Sequence, residues 1–254
     1  MKKKTEQRRN EIIELLKGQP AVEVRDLSER FSVSPETIRL DLDFLERKGV
    51  LERVHGGAIS RAKNSEIPFG IRLMEQNDVK KELCRKLLSF IPNDAVIYIA
   101  SSSTLLPVVP LLKLKKNLTI VTNSLELVNA LRETDHQLLV IGGEYYGVGR
   151  RMVGPYAMDM IRDLYFDMTI VGMDGCKNLD GPATSSHYEH VYISHVLQQS
   201  AVRILVADQS KLDKTANFRY ARFSDFDHYI VDRLTEEHRR ELEEKIDMAN
   251  VVEV

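Results

Sequence analysis

From Ala95 to the C-terminus, short runs rich in Val and Ile alternate with segments of helical period. Strands are expected at Ala95–Ile99, Leu118–Val121, Leu138–Ile141, Met168–Val171, Val202–Ala207, His228–Val231 and Asn250–Val254. Helices are expected over Leu125–Arg132, Tyr156–Leu164, Glu189–Ser200 and Glu236–Asp247. The strands are rich in Val and Ile and alternate with the helices. They predict an α/β fold built on an open, mostly parallel sheet.

Ligands of such sheets bind beyond the carboxyl ends of the strands. The residues there are small or polar: Ser101-Ser102-Ser103-Thr104, then Thr122-Asn123-Ser124, Gly142-Gly143, Gly172-Met173-Asp174-Gly175 and Asp208-Gln209-Ser210-Lys211. Hydroxyls and free N–H groups at a helix start suit an anion. One polar loop is ordinary; five at successive strand ends point to a site for a small, polar, anionic molecule.

The first sixty residues read differently. Ile12, Ile13, Leu15 and Leu16 mark an amphipathic helix over Glu6–Lys17, ended by Gly18. Val22–Val24 is short and extended, and Arg25–Phe31 is a second helix. Ser34 is a good N-cap with Pro35 at the first helical position, so a third helix starts there and runs to about Lys48, capped by Gly49. Ile38, Leu42 and Leu45 face inward, leaving Arg39, Asp41 and Asp43 for the outer face. Val50–Ile59, with Gly56-Gly57, suits a hairpin. Three helices and a hairpin make a winged helix-turn-helix, whose third helix meets base edges with its N-terminal residues. Those are Ser34, Glu36, Thr37 and Arg39. Thr37 suits a phosphate or a thymine methyl, and Arg39 a guanine or a phosphate. The alternative is a helical protein-interaction module.

Charge looks contrary at first. The net charge is −2, whereas nucleic-acid-binding domains are usually basic. However, residues 1–60 carry 12 Lys+Arg against 11 Asp+Glu, and Lys2, Lys3, Lys4, Arg8 and Arg9 crowd the first ten. That tip is either a solvated terminus or an arm that touches phosphates. Two distant cysteines, Cys84 and Cys176, fit a reducing cytoplasm. The N-terminus lacks the apolar stretch of a signal peptide, and Ala95–Leu112 is too interrupted to span a membrane.

The chain resembles the DeoR-type bacterial transcription regulators. The likeness is carried by Arg8-Arg9 through Ile12, by Val33-Ser-Pro-Glu-Thr-Ile-Arg-Leu-Asp-Leu42, by Leu45-Glu-Arg-Lys-Gly49 and by Arg53-Val-His-Gly-Gly-Ala58. Arg72 and Lys80 match the family's arrangement further on. The resemblance implies a winged head over 1–60, a linker over 61–75 and an effector-sensing, oligomerising domain over 76–254. That domain is similar in fold to phosphosugar isomerases such as ribose-5-phosphate isomerase. Arg8, Arg9, Ser34, Glu36, Thr37, Arg39, Arg53, His55, Gly56 and Gly57 would then face double-stranded operator DNA, the wing glycines letting the backbone come close. Ser102, Ser103 and Thr104 would hold the phosphate of a sugar, with Asn123, Gly142, Gly143, Arg151, Asp174 and Lys211 lining the rest. Three residues depart from the family pattern. Leu40 stands where a second Arg is usual, Ala100 where Asp is usual, and Ser102 where Gly is usual.

The expected protein is therefore a cytoplasmic, homo-oligomeric repressor of carbohydrate-catabolism genes controlled by a phosphorylated sugar. It is expected to be no enzyme and to need no cofactor, metal or membrane. An isomerase or deaminase fused to a DNA-binding head, and a ligand-blind oligomerising regulator, are the alternatives. The His187-Tyr-Glu-His190 stretch reads as a helix start rather than a zinc site. No Gly-Lys-Ser/Thr phosphate loop is present, which argues against ATP.

Overall fold

The computed structural model describes residues 2–18, 21–48, 50–54, 56–60 and 66–254. The chain divides into two compact units, Met1–Glu75 and Gln76–Val254.

In the first unit, α1 (Lys2–Gly18), β1 (Ala21–Glu23), α2 (Val24–Phe31) and α3 (Pro35–Arg47) are followed by β2 (Leu51–Val54), β3 (Gly57–Ser60) and α4 (Phe69–Met74). The strands form one antiparallel sheet in the order β1-β3-β2. Ile12, Ile13 and Leu16 of α1 bury against Leu27 of α2 and against Ile38, Leu42 and Leu45 of α3. The three-helix-and-wing architecture is thus the expected one. Ser32 ends α2 in the left-handed region (φ 50°), which turns the chain sharply into α3. Asp41 departs from expectation: it is buried, 1% exposed, not outward. The stretch expected as linker also differs. Its described part carries α4, with Phe69 and Ile71 buried.

The second unit begins with α5 (Asn77–Leu88). It is parted from α4 where Gln76 takes a positive φ of 51°. Then follow β4 (Val96–Ile99), a 3-10 turn (Leu106–Val108), α6 (Val109–Leu112), β5 (Thr119–Thr122), α7 (Leu125–Leu131) and β6 (Gln137–Val140). A hairpin of β7 (Glu144–Tyr146) and β8 (Arg151–Val153) precedes α8 (Pro155–Ile161) and β9 (Phe166–Val171). The chain ends through β10 (Ala183–Thr184), α9 (His187–Gln198), β11 (Ser200–Val206), β12 (Phe218–Arg219), β13 (His228–Val231), α10 (Glu236–Glu243) and β14 (Val251–Glu253).

All seven expected strands lie in one sheet, ordered β14-β13-β11-β9-β4-β5-β6, and every pairing in it is parallel. Ile97, Tyr98, Ile99, Ile204, Leu205, Val206, Tyr229, Ile230 and Val231 are buried, as strands covered on both faces require. The strand order reverses between β4 and β9. From there β5 and β6 extend one way, and β11, β13 and β14 the other. That reversal opens the crevice in which such folds bind ligands.

Candidate functional site

In the first unit, α3 starts as its residues dictate. The Ser34 Oγ accepts a hydrogen bond from the Thr37 backbone N–H at 3.2 Å and lies 2.9 Å from the Thr37 Oγ1. Pro35 occupies the first turn, where its missing N–H leaves no bond unmade. Glu36 and Arg39 are exposed and pair with each other at 3.0 Å.

Two of the expected DNA contacts have another use. Asp41 Oδ2 accepts from Arg8 Nε at 2.5 Å, and Asp41 Oδ1 from Arg9 Nε at 2.7 Å. The Arg9 guanidinium also sits 3.8 Å from the centroid of the Phe44 ring. A buried carboxylate needs such partners, since an unpaired one is costly. Arg8 and Arg9 therefore fasten α1 to α3, which is why Asp41 points inward.

The wing is fastened in the same way. The Arg53 side chain pairs with Asp43 and donates to Gly57 O at 3.3 Å, while its backbone N–H donates to Glu46 Oε1 at 2.7 Å. Gly56 has a φ of +82° and open space around it. Gly57 is buried, and a Cβ there would stand 2.1 Å from Val22 O. The close approach of β1 inside the sheet is by itself enough to require glycine there. His55 lies outside the described residues.

In the second unit the loops after β4 and β9 meet at the switch point. Ser101, Ser103 and Thr104 are buried. The Ser102 Oγ accepts from the Thr104 N–H at 3.2 Å and lies 2.5 Å from where a Cβ on Gly172 would be. Only glycine at 172 lets the serine loop close over the end of β9. Lys80, 2% exposed, donates from Nζ to the Ser103 Oγ at 3.2 Å. This lysine was matched to the family but not assigned to the site. The available signal was its place on the apolar stripe of α5, three, four and seven residues before Leu83, Cys84 and Leu87, all buried.

Arg151 is fully buried (0% exposed) and pairs with Glu189 Oε2 at 3.0 Å. Its guanidinium lies 5.2 Å from the centroid of the Tyr146 ring and so close to Gly149 that a Cβ there would be 1.8 Å from Nη1. The same Glu189 oxygen accepts from Thr184 Oγ1 at 2.8 Å. Thr184 Oγ1 also reaches Asp174 Oδ2 at 3.3 Å, which accepts from the Ser185 N–H at 2.9 Å. Ser101 Oγ closes the set by donating to Gly149 O at 3.2 Å. One network thus joins the serine loop, Arg151, Glu189, Thr184 and Asp174. Sequence reading missed Thr184 and Glu189, because an acid in the first turn of a helix looks like an ordinary dipole partner. Tyr220 donates its OH to Gly172 O at 2.6 Å, and its phenol is held well above the usual range by burial, then by the nearby Glu189 and Asp174 charges.

Lys211 lies on the 3-10 turn after β11, buried, with its carbonyl accepting from the Cys176 N–H at 3.2 Å. The β11 and β9 loops are therefore joined. Other expected positions also make contacts within the fold. Asn123 Oδ1 accepts from the Tyr98 OH at 3.1 Å and its Nδ2 donates to Met152 O at 2.9 Å. Gly143, at φ +144°, is closed against Val153 O, 2.5 Å from where its Cβ would be, and Gly142 donates its N–H to Met160 Sδ at 3.2 Å. Both glycines sit past β6, the edge strand, two strands away from the switch point. No helix among the described residues is long and apolar enough to cross a membrane.

Comparison with known proteins agrees with this division. Residues 8–64 match the DeoR-like helix-turn-helix domain and residues 75–233 the DeoR C terminal sensor domain. The chain is 33% identical over 231 residues to the glycerol-3-phosphate regulon repressor of Escherichia coli (strain K12), covering 90% of this chain and 91% of that protein. It is 29% identical to the HTH-type transcriptional regulator IolR of Bacillus subtilis (strain 168), covering 84% and 85% respectively. Ribose 5 phosphate isomerase A from Neisseria gonorrhoeae aligns at 18% identity and a TM-score of 0.41, over 56% of this chain and 55% of that one, a partial likeness that carries no weight about activity. With both family models matched in order along one chain, this protein belongs to the DeoR family of transcription regulators.

Proposed function

We propose that the chain is a cytoplasmic transcriptional repressor, active as a homo-oligomer, whose first unit binds operator DNA and whose second unit senses a phosphorylated sugar or polyol. The observation that carries the effector reading is the switch-point cluster. There Ser102 lies over Gly172, and the buried Lys80 ammonium donates to Ser103. Hydroxyls beside a buried cation suit phosphate oxygens. Asp174, Lys211 and the Arg151–Glu189 pair supply acceptors and donors for sugar hydroxyls, consistent with a relative named for a glycerol-3-phosphate regulon. Ala100 offers no carboxylate, which leaves Asp174 without a second acid from the β4 loop and favours sensing over turnover. One head covers one half-site, so two copies are required for a two-fold operator.

The test is a thermal-shift screen of the purified chain against sugar phosphates, polyol phosphates and free sugars, followed by DNA titration with each hit. A phosphorylated hit well above its Kd raises Tm and shifts DNA affinity. Lys211→Ala is expected to abolish that response while DNA binding persists. Stabilisation by free sugars alone would sink the phosphate reading, and steady isomerisation of a hit would make the second unit an enzyme.

A further inference from the structure

We propose that Leu40 is a specificity-determining residue that packs on the C5-methyl group of a thymine in the operator's major groove. The inference rests on the reading that α3 enters that groove. Leu40 is 58% exposed, although it belongs to a helix whose other leucines, Leu42 and Leu45, are fully buried. At 100° per residue, positions 36, 40, 43 and 47 form the stripe opposite Ile38, Leu42 and Leu45.

The charges around Leu40 on that face are engaged within the protein. Glu36 pairs with Arg39, Asp43 with Arg53, and Arg47 donates from Nε to Asp43 O at 3.3 Å. Asp41, the next residue, is closed by Arg8 and Arg9. Leu40 is therefore an apolar knob ringed by charges that already have partners.

The major groove displays hydrogen-bond donors and acceptors at every base pair and one apolar group, the thymine methyl. A leucine pressed on a donor or acceptor strips its water and returns no hydrogen bond. Pressed on the methyl, it removes apolar surface from water on both sides. Leu40 thus favours thymine and penalises the other bases at one position of each half-site.

The test starts by selecting duplexes from a random pool with the full-length chain. Each thymine of the selected duplex is then replaced by deoxyuridine, which lacks only the methyl. Deoxyuridine at that thymine in one half-site should weaken wild-type binding about three- to fivefold. Leu40→Ala should lose that sensitivity, keep its response elsewhere and retain the wild-type melting curve. Leu40→Gln should select a different base at the same position. Equal deoxyuridine sensitivity in wild type and Leu40→Ala at every thymine would overturn the proposal. An enriched sequence whose binding Arg39→Ala weakens, with no methyl effect, removes Leu40 alone. A pool that enriches no sequence removes the groove reading of α3 together with Leu40.

Discussion

The two units place their paired buried charge differently. In the first, the buried carboxylate Asp41 is answered by Arg8 and Arg9, and the result is mechanical: α1 is tied to α3. In the second, Arg151, Glu189, Lys80 and Lys211 gather at the ends of the strands around the switch point. Charge in the head holds a helix still so that its exposed side presents chemistry. Charge in the sensor lies beside the loops at which an anion is proposed to bind.

The largest test of this contrast is Arg151→Ala. It leaves the partly enclosed Glu189 carboxylate, its side chain 11% exposed, without its guanidinium and should destabilise the second unit by about 3–5 kcal/mol in chemical unfolding. A loss below about 1 kcal/mol would mean that water already satisfies Glu189 and that the cluster is softer than described. Asp41→Asn comes next. Losing two charge-assisted hydrogen bonds should cost the first unit about 1.5–3 kcal/mol and weaken operator binding, although Asp41 touches no DNA. Operator affinity unchanged by a variant that measurably destabilises the head would show that α3 needs no such anchor. Ser34→Ala is the smallest, about 1 kcal/mol from the lost N-cap, read as a lower melting temperature of the head. A larger fall in DNA affinity than in stability would make the Ser34 hydroxyl a contact in its own right.

Much of the fold is legible in the sequence for one reason. A strand covered on both faces must be an apolar run, so Ile97–Ile99 and Leu205–Val206 announce themselves. The β7–β8 and β10–β12 pairings do not, because strands of two or three residues have no period to read. The site was legible as a set of loops but not as a set of contacts. Ser102, Ser103 and Asp174 are expected there from their place after strands and from the family resemblance. Lys80 and Glu189 are not, since a charge on a helix ordinarily faces water. The same rule puts Asp41 on the outer face, whereas it is buried, and Asn123 and Gly143, expected at the ligand, also contact the Tyr98 hydroxyl and neighbouring backbone.

The strand order has a consequence for how the chain is made. β4 is the first strand of the sheet to be synthesised and lies inside it, third from the β6 edge. Its partners on one side, β5 and β6, are complete by Val140, but on the other side Ile97 must wait for Met168. During that interval a nascent half-sheet has an open, apolar edge along β4. An edge of that kind is a template for pairing with other chains. Closing a loop of this length costs entropy that only the finished pairing returns.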